Sequence, residues 1–361
     1  MKFLTPIDGD VLFSHADGEL LGDKLKTVIS VSAPKGKSIE INGVTAKEED
    51  GVYTAEICID AYRNTVEAID TKSGEAEKIV IYWFRKGYKT YRLGVDDVIR
   101  CFENIYNHRD EYTSIFDDPF LSLYRELHEK YGTFVHMHVY YETDDKKFNL
   151  SMFPDKYKEE FQANGDWLKF TFHARADHPD SPYKFATYEQ VMEDGKMVEK
   201  ELLRFAGREV MSNVTSEHWA DSNRRATRGF RNLGFRCIDA YFLFDENGDP
   251  YVAYYLDHEQ TAHAAKRDFW VDNTEDIIFV KDDIIINEVD LDKIDGYMEE
   301  ISNQQNNCFH YLLIHEQYFY EDYPAYEPDY KERIFKTVEW CHKNGYTPST
   351  ISSIAFEESF S

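Results

Sequence analysis

Short stretches in which apolar and polar residues alternate occupy the first 87 residues of the chain. The clearest are residues 27–32 (Thr-Val-Ile-Ser-Val-Ser), 51–60 and 78–84, and turns rich in Gly, Pro, Asn and Asp separate such stretches. Alternation puts every second side chain on one face of a strand, which can then be buried. Short strands separated by turns of this kind are typical of two packed sheets. The pattern therefore predicts an all-β sandwich over residues 1–87.

From about residue 88, strand-like runs alternate with stretches of helical periodicity, which is typical of α/β architecture. The predicted strands are 89–95, 133–141, 167–173, 209–215, 235–244, 276–280 and 309–314. The predicted helices are 98–106, 120–131, 154–163, 188–205, 221–233, 291–303 and 328–344. Residues 242–254 interrupt the alternation, and Asn247-Gly248 predicts a β-hairpin. We therefore predict a multidomain protein in which an α/β domain, an irregular (β/α) barrel of about seven strands, follows the sandwich over residues 88–361.

Composition narrows the classes of partner. With 41 basic and 68 acidic residues the formal net charge is −27, which argues against nucleic acid and anionic membranes. Aromatic residues make up 16% of the chain, and the flat faces and polar edges of Tyr and Trp suit sugar rings. The five cysteines are scattered without a Cys-x-x-Cys pair, which favours a reducing compartment.

No signal-peptide core and no run of ~20 apolar residues is visible in the sequence. This predicts a cytoplasmic protein without membrane insertion, or an extracellular one if a leader has been removed. Nothing in the pattern specifies an oligomeric state.

Two adjacent carboxylates, Asp96 and Asp97, follow the predicted strand 89–95 and precede a predicted helix. Ligands of α/β sheets and barrels gather at the C-terminal ends of strands. Two carboxylates there can divide the work, because one can bind a metal while its neighbour takes a proton. The alternative is that one of them caps the helix that follows.

A second polar cluster follows the predicted strand 167–173. His173 and Asp177 are four residues apart, and on a helical turn this spacing lets two side chains bind one metal. In a loop the backbone can present His178 instead, so that Asp177 and His178 both remain candidate ligands. Arg175, between them, is a candidate substrate contact. The alternative is a polar loop that caps the next helix.

Two further clusters follow the predicted strands 209–215 and 309–314. After the first, His218 and Trp219 can line a sugar site, with Trp219 as a stacking face. After the second, His315 has the carboxylate of Glu316 beside it in sequence, and a histidine tuned in this way suits general acid catalysis. The alternative for His315 is a buried, hydrogen-bonded histidine.

The first two clusters resemble motifs of the polysaccharide deacetylase family, and the resemblance covers roughly residues 89–346. The Asp96-Asp97 pair is similar to the family's first motif, in which the first Asp is the base and the second is a metal ligand. His173 is similar to the first of two metal-binding histidines, and Asp177 or His178 stands for the second. Residues 98–99 are Val-Ile where the family usually has Gly-Pro.

The late cluster and the N-terminal region carry two more resemblances. The family's last motif is an apolar strand that ends in the catalytic acid His, and residues 312–315 (Leu-Leu-Ile-His) are similar to it. The continuation through residue 319 resembles family members from surface-polysaccharide biosynthesis clusters of bacteria. The N-terminal sandwich resembles the immunoglobulin-like modules appended to bacterial carbohydrate-active enzymes.

The resemblance implies a metal-dependent hydrolase, a deacetylase that removes N- or O-acetyl groups from a glycan, with zinc as the expected divalent metal. Asp96 is then the base, His315 the acid, and Glu316 a residue that orients His315. Tyr318 and Tyr320 are candidate sugar contacts. Two alternatives remain open: a barrel glycosidase with two carboxylates ~5–9.5 Å apart and no metal, and an inactive barrel that binds glycan.

Overall fold

The computed structural model describes residues 1–14, 16–304 and 307–356, and the chain divides into two compact units. Unit 1 comprises Met1–Tyr88, Phe269–Ile278 and Ser353–Ser361, and unit 2 comprises Lys89–Asp268 and Phe279–Ser352. The domain boundary between residues 87 and 88 stays a prediction, and positions 357–361 of the predicted second domain lie outside the described residues.

The N-terminal region is rich in β-strands. Its strands are β1 Lys2–Thr5, β2 Val11–Phe13, β3 Glu19–Leu21, β4 Lys24–Ser32, β5 Ile39–Ile41, β6 Val44–Thr45, β7 Lys47–Glu49, β8 Val52–Ile59, β9 Arg63–Asp70 and β10 Ala76–Phe84. One five-stranded sheet has the order β1-β4-β8-β7 with β3 beside β4, and the other has the order β2-β10-β9-β5-β6. The predicted alternation is visible in β4, where every second residue is buried, and the buried residues of both sheets form one hydrophobic core.

Strands and helices alternate through the rest of the chain. The elements are β11 Thr90–Val98, α1 Arg100–Asn107, α2 Pro119–Tyr131, β12 Val135–Tyr140, α3 Lys158–Ala163, β13 Leu168–Ala174, α4 Tyr188–Phe205, β14 Val214–Ser216, α5 Arg224–Leu233, β15 Cys237–Ala240, β16 Leu243–Phe244, β17 Pro250–Tyr251, α6 His258–Ala264, β18 Phe269–Asp272, β19 Ile277–Lys281, β20 Ile284–Ile285, α7 Ile294–Ser302, β21 Phe309–His315, α8 Tyr330–Lys343, β22 Thr347–Pro348 and α9 Ile351–Ala355. Strands β16 and β17 form the predicted antiparallel hairpin. None of the helices in the described ranges combines the length and apolarity that a membrane crossing requires.

Local sequence signals explain where helices begin and end. In α2, the side chain of Asp118 accepts a hydrogen bond from the backbone N–H of Leu121, and Pro119 occupies the first turn. Both are favoured at helix starts, because Asp satisfies a free N–H and Pro has none to satisfy. Gly132 ends the helix in the left-handed conformation at φ +69°, which glycine adopts without steric cost.

The sheet that carries the site runs in the order β13-β12-β11-β21-β20, with β22 beside β11. Its neighbours pair in parallel, and β11 and β12 are buried over nearly their whole length, as expected for a sheet covered on both faces. Because the strands are parallel, their C-terminal ends lie along the same edge. The predicted barrel closure and its seven strands stay predictions.

Two irregularities shape this edge. Strand β11 has two residues, Asp96 and Asp97, where β12 has only His138, and Asp97 lies in the left-handed region at φ +65°. Strand β13 likewise has one extra residue, His173, against β12. Adjacent side chains of a regular strand point to opposite faces, whereas a bulge changes the direction of a side chain. The bulges therefore let both carboxylates and His173 face one place.

Candidate active site and metal centre

The ends of the central strands bring most of the predicted site residues together. Asp96 is the register partner of His315 on the neighbouring strand β21. Both line a cavity of about 400 Å³, which is also lined by Asp97, His173 and His218. Residues separated by more than 200 positions in the sequence thus share one concave site.

Three buried side chains in this cavity form a group that can hold a metal ion: Asp97, His173 and His218, whose ligand atoms all lie within 4.8 Å of one another. Oδ1 of Asp97 is 3.2 Å from Nε2 of His173 and 3.3 Å from Nδ1 of His218. A tetrahedral zinc site with bonds of ~2.0–2.1 Å has edges of about 3.3–3.4 Å between its ligand atoms. The spacing therefore fits a single small cation.

The outer nitrogens of both histidines face backbone carbonyl groups. Nδ1 of His173 lies 2.7 Å from the carbonyl oxygen of Ser216, and Nε2 of His218 lies 2.9 Å from that of Asp177. A carbonyl oxygen only accepts, so each outer nitrogen carries the hydrogen. In the neutral rings, the inner nitrogens then present lone pairs to the Asp97 carboxylate. Lone pairs that face a carboxylate need a proton or a cation between them. The outer N–H groups that donate to carbonyl oxygens are the usual support of metal-binding histidines.

Asp97 has two more polar neighbours. The Tyr140 hydroxyl donates to Oδ1 of Asp97 and lies 2.9 Å from Nδ1 of His218, and Nε2 of Gln317 donates to Oδ2 of Asp97 at 2.6 Å. Burial opposes ionisation of Asp97, but its hydrogen bonds to the two histidines hold its pKa well below the usual range. Burial also disfavours the charged form of His173, yet Asp96 and Asp97 raise the pKa of His173 to about 9. The site therefore attracts positive charge.

Asp96 is held from two sides. Nδ1 of His138 contacts its Oδ1, and the Ser216 hydroxyl donates to its Oδ2 at 2.8 Å. Burial opposes ionisation, but the neighbouring His173 and His138 lower the pKa of Asp96 below its ordinary value. Asp96 is thus an ionised carboxylate at neutral pH, next to the cluster but outside it.

His315 is oriented by Asn287 rather than by its sequence neighbour. Nδ1 of His315 donates to Oδ1 of Asn287 at 2.9 Å. Nε2 is therefore the ring nitrogen left to exchange a proton with a substrate. The Glu316 carboxylate instead accepts the backbone N–H groups of residues 99, 100 and 101 at 2.6, 2.7 and 2.7 Å. It therefore satisfies the start of α1, where free N–H groups need an acceptor.

The other predicted metal ligands lie outside the buried group. The side chain of His178 is 70% exposed, and together with Asp144 and Asp177 it forms a separate, more exposed cluster. Asp177 lines the cavity, and its Oδ1 is 3.2 Å from the Tyr140 hydroxyl. His218, predicted only as a sugar contact, occupies the place expected of one of these two.

Of the predicted substrate contacts, some line the cavity and others bind residues outside it. Trp219, which is 39% exposed, and Tyr318 line the cavity. Tyr320 donates its hydroxyl to Glu316 at 3.1 Å, so it supports the capped helix end. Nε of Arg175 donates to Glu142 at 2.9 Å, and these two residues line a neighbouring cavity.

Sequence reasoning missed the contribution of β12. His136, His138 and Tyr140 alternate along this strand, and alternation places all three on one face. Two of them contact Asp96 or Asp97. Three polar residues at every second position of an otherwise apolar strand were the available signal.

No protein-family model matches the sequence, and a search of curated proteins found no match. Among solved structures, a CE4 esterase of Streptococcus mutans matches with a TM-score of 0.39 and 11% identity over 73% of this chain and 85% of its own. A 4-alpha-glucanotransferase from Thermococcus litoralis matches with a TM-score of 0.47 and 12% identity over 74% of this chain and 40% of its own. The carbohydrate deacetylase Agd3 matches with a TM-score of 0.38 and 7% identity over 93% and 71%. Similarities this distant do not identify an activity.

Proposed function

We propose that this chain is a metal-dependent deacetylase that removes N- or O-acetyl groups from a glycan. One observation carries the proposal: two histidine nitrogens and one carboxylate oxygen converge within 4.8 Å, in a cavity that also contains Asp96 and His315. A metal site beside a carboxylate base and a histidine acid is an arrangement suited to metal-assisted hydrolysis.

We assign Asp97, His173 and His218 as the protein ligands, and zinc as the metal, because one oxygen and two imidazole nitrogens suit it. In this set His218 takes the place for which Asp177 or His178 was predicted. When bound, the ion supplies Lewis acidity toward an acyl oxygen and lowers the pKa of water. With three protein ligands, a tetrahedral site keeps one position open, as catalytic zinc sites do.

The remaining roles belong to residues around the cluster. Asp96 takes the proton of the attacking water, since it is an ionised carboxylate beside the cluster. His315 protonates the leaving amine or alcohol from its other ring nitrogen, while Asn287 fixes the ring. Trp219 and Tyr318, with Tyr323, provide aromatic walls of the kind on which sugar rings rest.

The wider architecture completes the proposal. We propose that unit 2 is an irregular (β/α) barrel and that residues 1–87 form an immunoglobulin-like sandwich that serves as a docking or glycan-binding module. A cytoplasmic location and a surface-polysaccharide precursor as substrate belong to the same proposal.

The direct test measures acetate released from N-acetylated and O-acetylated oligosaccharides by the purified chain. We expect release that stops in a chelator and returns with added zinc, and about one zinc per chain by elemental analysis. Release of reducing sugar in the presence of chelator would instead indicate a glycosidase. Glycan binding without any acetate release would indicate an inactive binding protein.

A matched pair of variants tests the ligand assignment. His218→Ala removes a proposed ligand, whereas His178→Ala removes an exposed histidine from the neighbouring loop. We expect His218→Ala to lose bound zinc and His178→Ala to keep it. Stoichiometric zinc in His218→Ala, or its loss in His178→Ala, would refute the assignment.

A further inference from the structure

Two buried side chains, Arg92 and His138, form a hydrogen-bonded series that ends at Asp96. Nη2 of Arg92 lies 3.0 Å from Nε2 of His138, and Nδ1 of His138 contacts Oδ1 of Asp96. Arg92 is four residues before Asp96 on β11, so both side chains lie on one face of that strand. Both Arg92 and His138 are buried, at 2% and 0% exposure. The contact is therefore isolated from bulk water.

The chemistry of the arginine side chain fixes the direction of both hydrogen bonds of His138. A guanidinium only donates, so Nε2 of His138 accepts from Arg92, and Nδ1 of the neutral ring must carry the hydrogen. That hydrogen is donated to Asp96. A doubly protonated ring would turn an N–H toward the Arg92 donor, so the Arg92–His138 hydrogen bond itself requires the neutral ring.

Arg92 is costly for the fold. Within the described residues, its Nε and Nη1 atoms have no hydrogen-bond partner, and its guanidinium lies 4.5 Å from the centre of the Tyr311 ring. A buried cation that is incompletely hydrogen-bonded destabilises a protein, and apolar residues of similar size often replace such groups without loss. The buried carboxyls of Asp239 and Asp282 interact with its charge, but among the described residues the hydrogen bond that its guanidinium donates to a side chain goes to His138.

We propose that Arg92 and His138 are positioning residues for Asp96: Arg92 fixes the Nδ1–H tautomer of His138, and His138 then holds the orientation of the carboxylate. The inference rests on the proposed role of Asp96 as the base. His138 and the Ser216 hydroxyl each use one lone pair of a different Asp96 oxygen. The second lone pair of each oxygen remains available, and one of them accepts the proton when an O–H bond of the attacking water breaks.

The first test reads the tautomer and does not depend on activity. Two-dimensional NMR of protein labelled with ¹⁵N-histidine distinguishes a protonated Nδ1 from a protonated Nε2, and His138→Asn assigns the signal. We expect the Nδ1–H form in the wild type and in Arg92→Lys, which keeps a donor, and a mixture in Arg92→Met. An Nε2–H form in the wild type, or no change in Arg92→Met, would overturn the inference.

The second test separates positioning from folding by kinetics. Because a positioned base contributes ~10²–10⁴-fold, we expect His138→Ala to lower kcat at least about 100-fold while KM and the zinc content stay unchanged. His138→Asn keeps an N–H donor near the position of Nδ1 and should recover most of the lost kcat. A folded, zinc-containing His138→Ala protein with kcat within about twofold of wild type would refute positioning.

The two proposals fail in different ways. If the wild type releases no acetate, the proposed function is wrong, and the NMR measurement alone decides whether Arg92 fixes His138. If acetate is released and the Asn variant is no better than the Ala variant, the deacetylase proposal stands and positioning by His138 is refuted. If His138→Ala does not fold, the comparison of Arg92→Lys with Arg92→Met provides the same decision.

Discussion

Zinc binding should release a proton near neutral pH, because His173 holds one in the metal-free site. Burial disfavours the charged ring, but Asp96 and Asp97 raise the pKa of His173 to about 9. Since Nδ1 already donates to the carbonyl oxygen of Ser216, the additional proton is on Nε2, the atom that faces Asp97. Metal and proton therefore compete for the same nitrogen.

The pKa of His173 sets the size of the effect. Below pH 9, each decrease of one pH unit should lower the apparent zinc affinity about tenfold. At pH 7 the affinity should therefore be about 100-fold below its value at high pH. In the metal-free folded protein the pKa of His173 is about 9, above its ordinary value of 6.5. Between pH 6.5 and 9, His173 is therefore protonated in the folded state and largely neutral in the unfolded state. This contribution to stability, about 3 kcal/mol, is present below pH 6.5 and is lost as the pH rises through 9.

Titration calorimetry in buffers of different ionisation enthalpy counts the released protons. We expect His173 to release about one proton per zinc at pH 7 and little above pH 10, and ionisation of a zinc-bound water adds to the total at pH 7. His178→Ala is a control that should behave like the wild type. Competition with a chelator across pH 7 to 9 gives the affinity. An affinity that does not change over this range, together with no proton release at pH 7, would refute the reasoning.

The other expected outcomes concern single contacts near or below the site. Tyr140→Phe removes the hydroxyl that donates to Asp97, and we expect zinc affinity to fall about 10–100-fold; unchanged competition with a chelator would argue against this. Burial raises the pKa of Asp118 from 3.8 to about 6, so its ionisation destabilises the fold as the pH rises from 4 to 6. In urea unfolding, Asp118→Asn should lose about 2 kcal/mol less than wild type over that range, and a parallel loss in both proteins would contradict it. Gly94→Ala places a Cβ 2.6 Å from the Tyr311 hydroxyl and should destabilise the fold by about 1–3 kcal/mol, which an unchanged urea midpoint would disprove.

Strand ends were the most predictable part of the site. The predicted strands 89–95, 167–173 and 309–314 correspond to β11, β13 and β21, which end at Val98, Ala174 and His315. Apolar runs with a polar end are a local signal, and parallel strands place such ends along one edge. The sequence alone therefore indicated that Asp96, Asp97 and His315 meet.

The partners of these residues were less predictable, because they depend on backbone direction. His218 is followed by Trp219 in the left-handed region at φ +72°, an uncommon conformation for a bulky residue, and periodicity does not predict such a turn. Glu316 follows His315 directly, but its carboxylate contacts the start of α1, more than 200 residues earlier in the chain. Adjacency in sequence suggested a pair that the chain does not form.

The extra residue in β11 makes the chemistry depend on the length of a strand as well as on its letters. Deleting either Asp96 or Asp97 would leave one residue of β11 opposite His138 of β12, so the two strands would pair without a bulge. The remaining carboxylate would then lie in a regular strand. The strand would survive and the converging groups would separate. Relatives that lack one position here should therefore retain the scaffold without its reaction, and an alignment that hides the gap would misassign them.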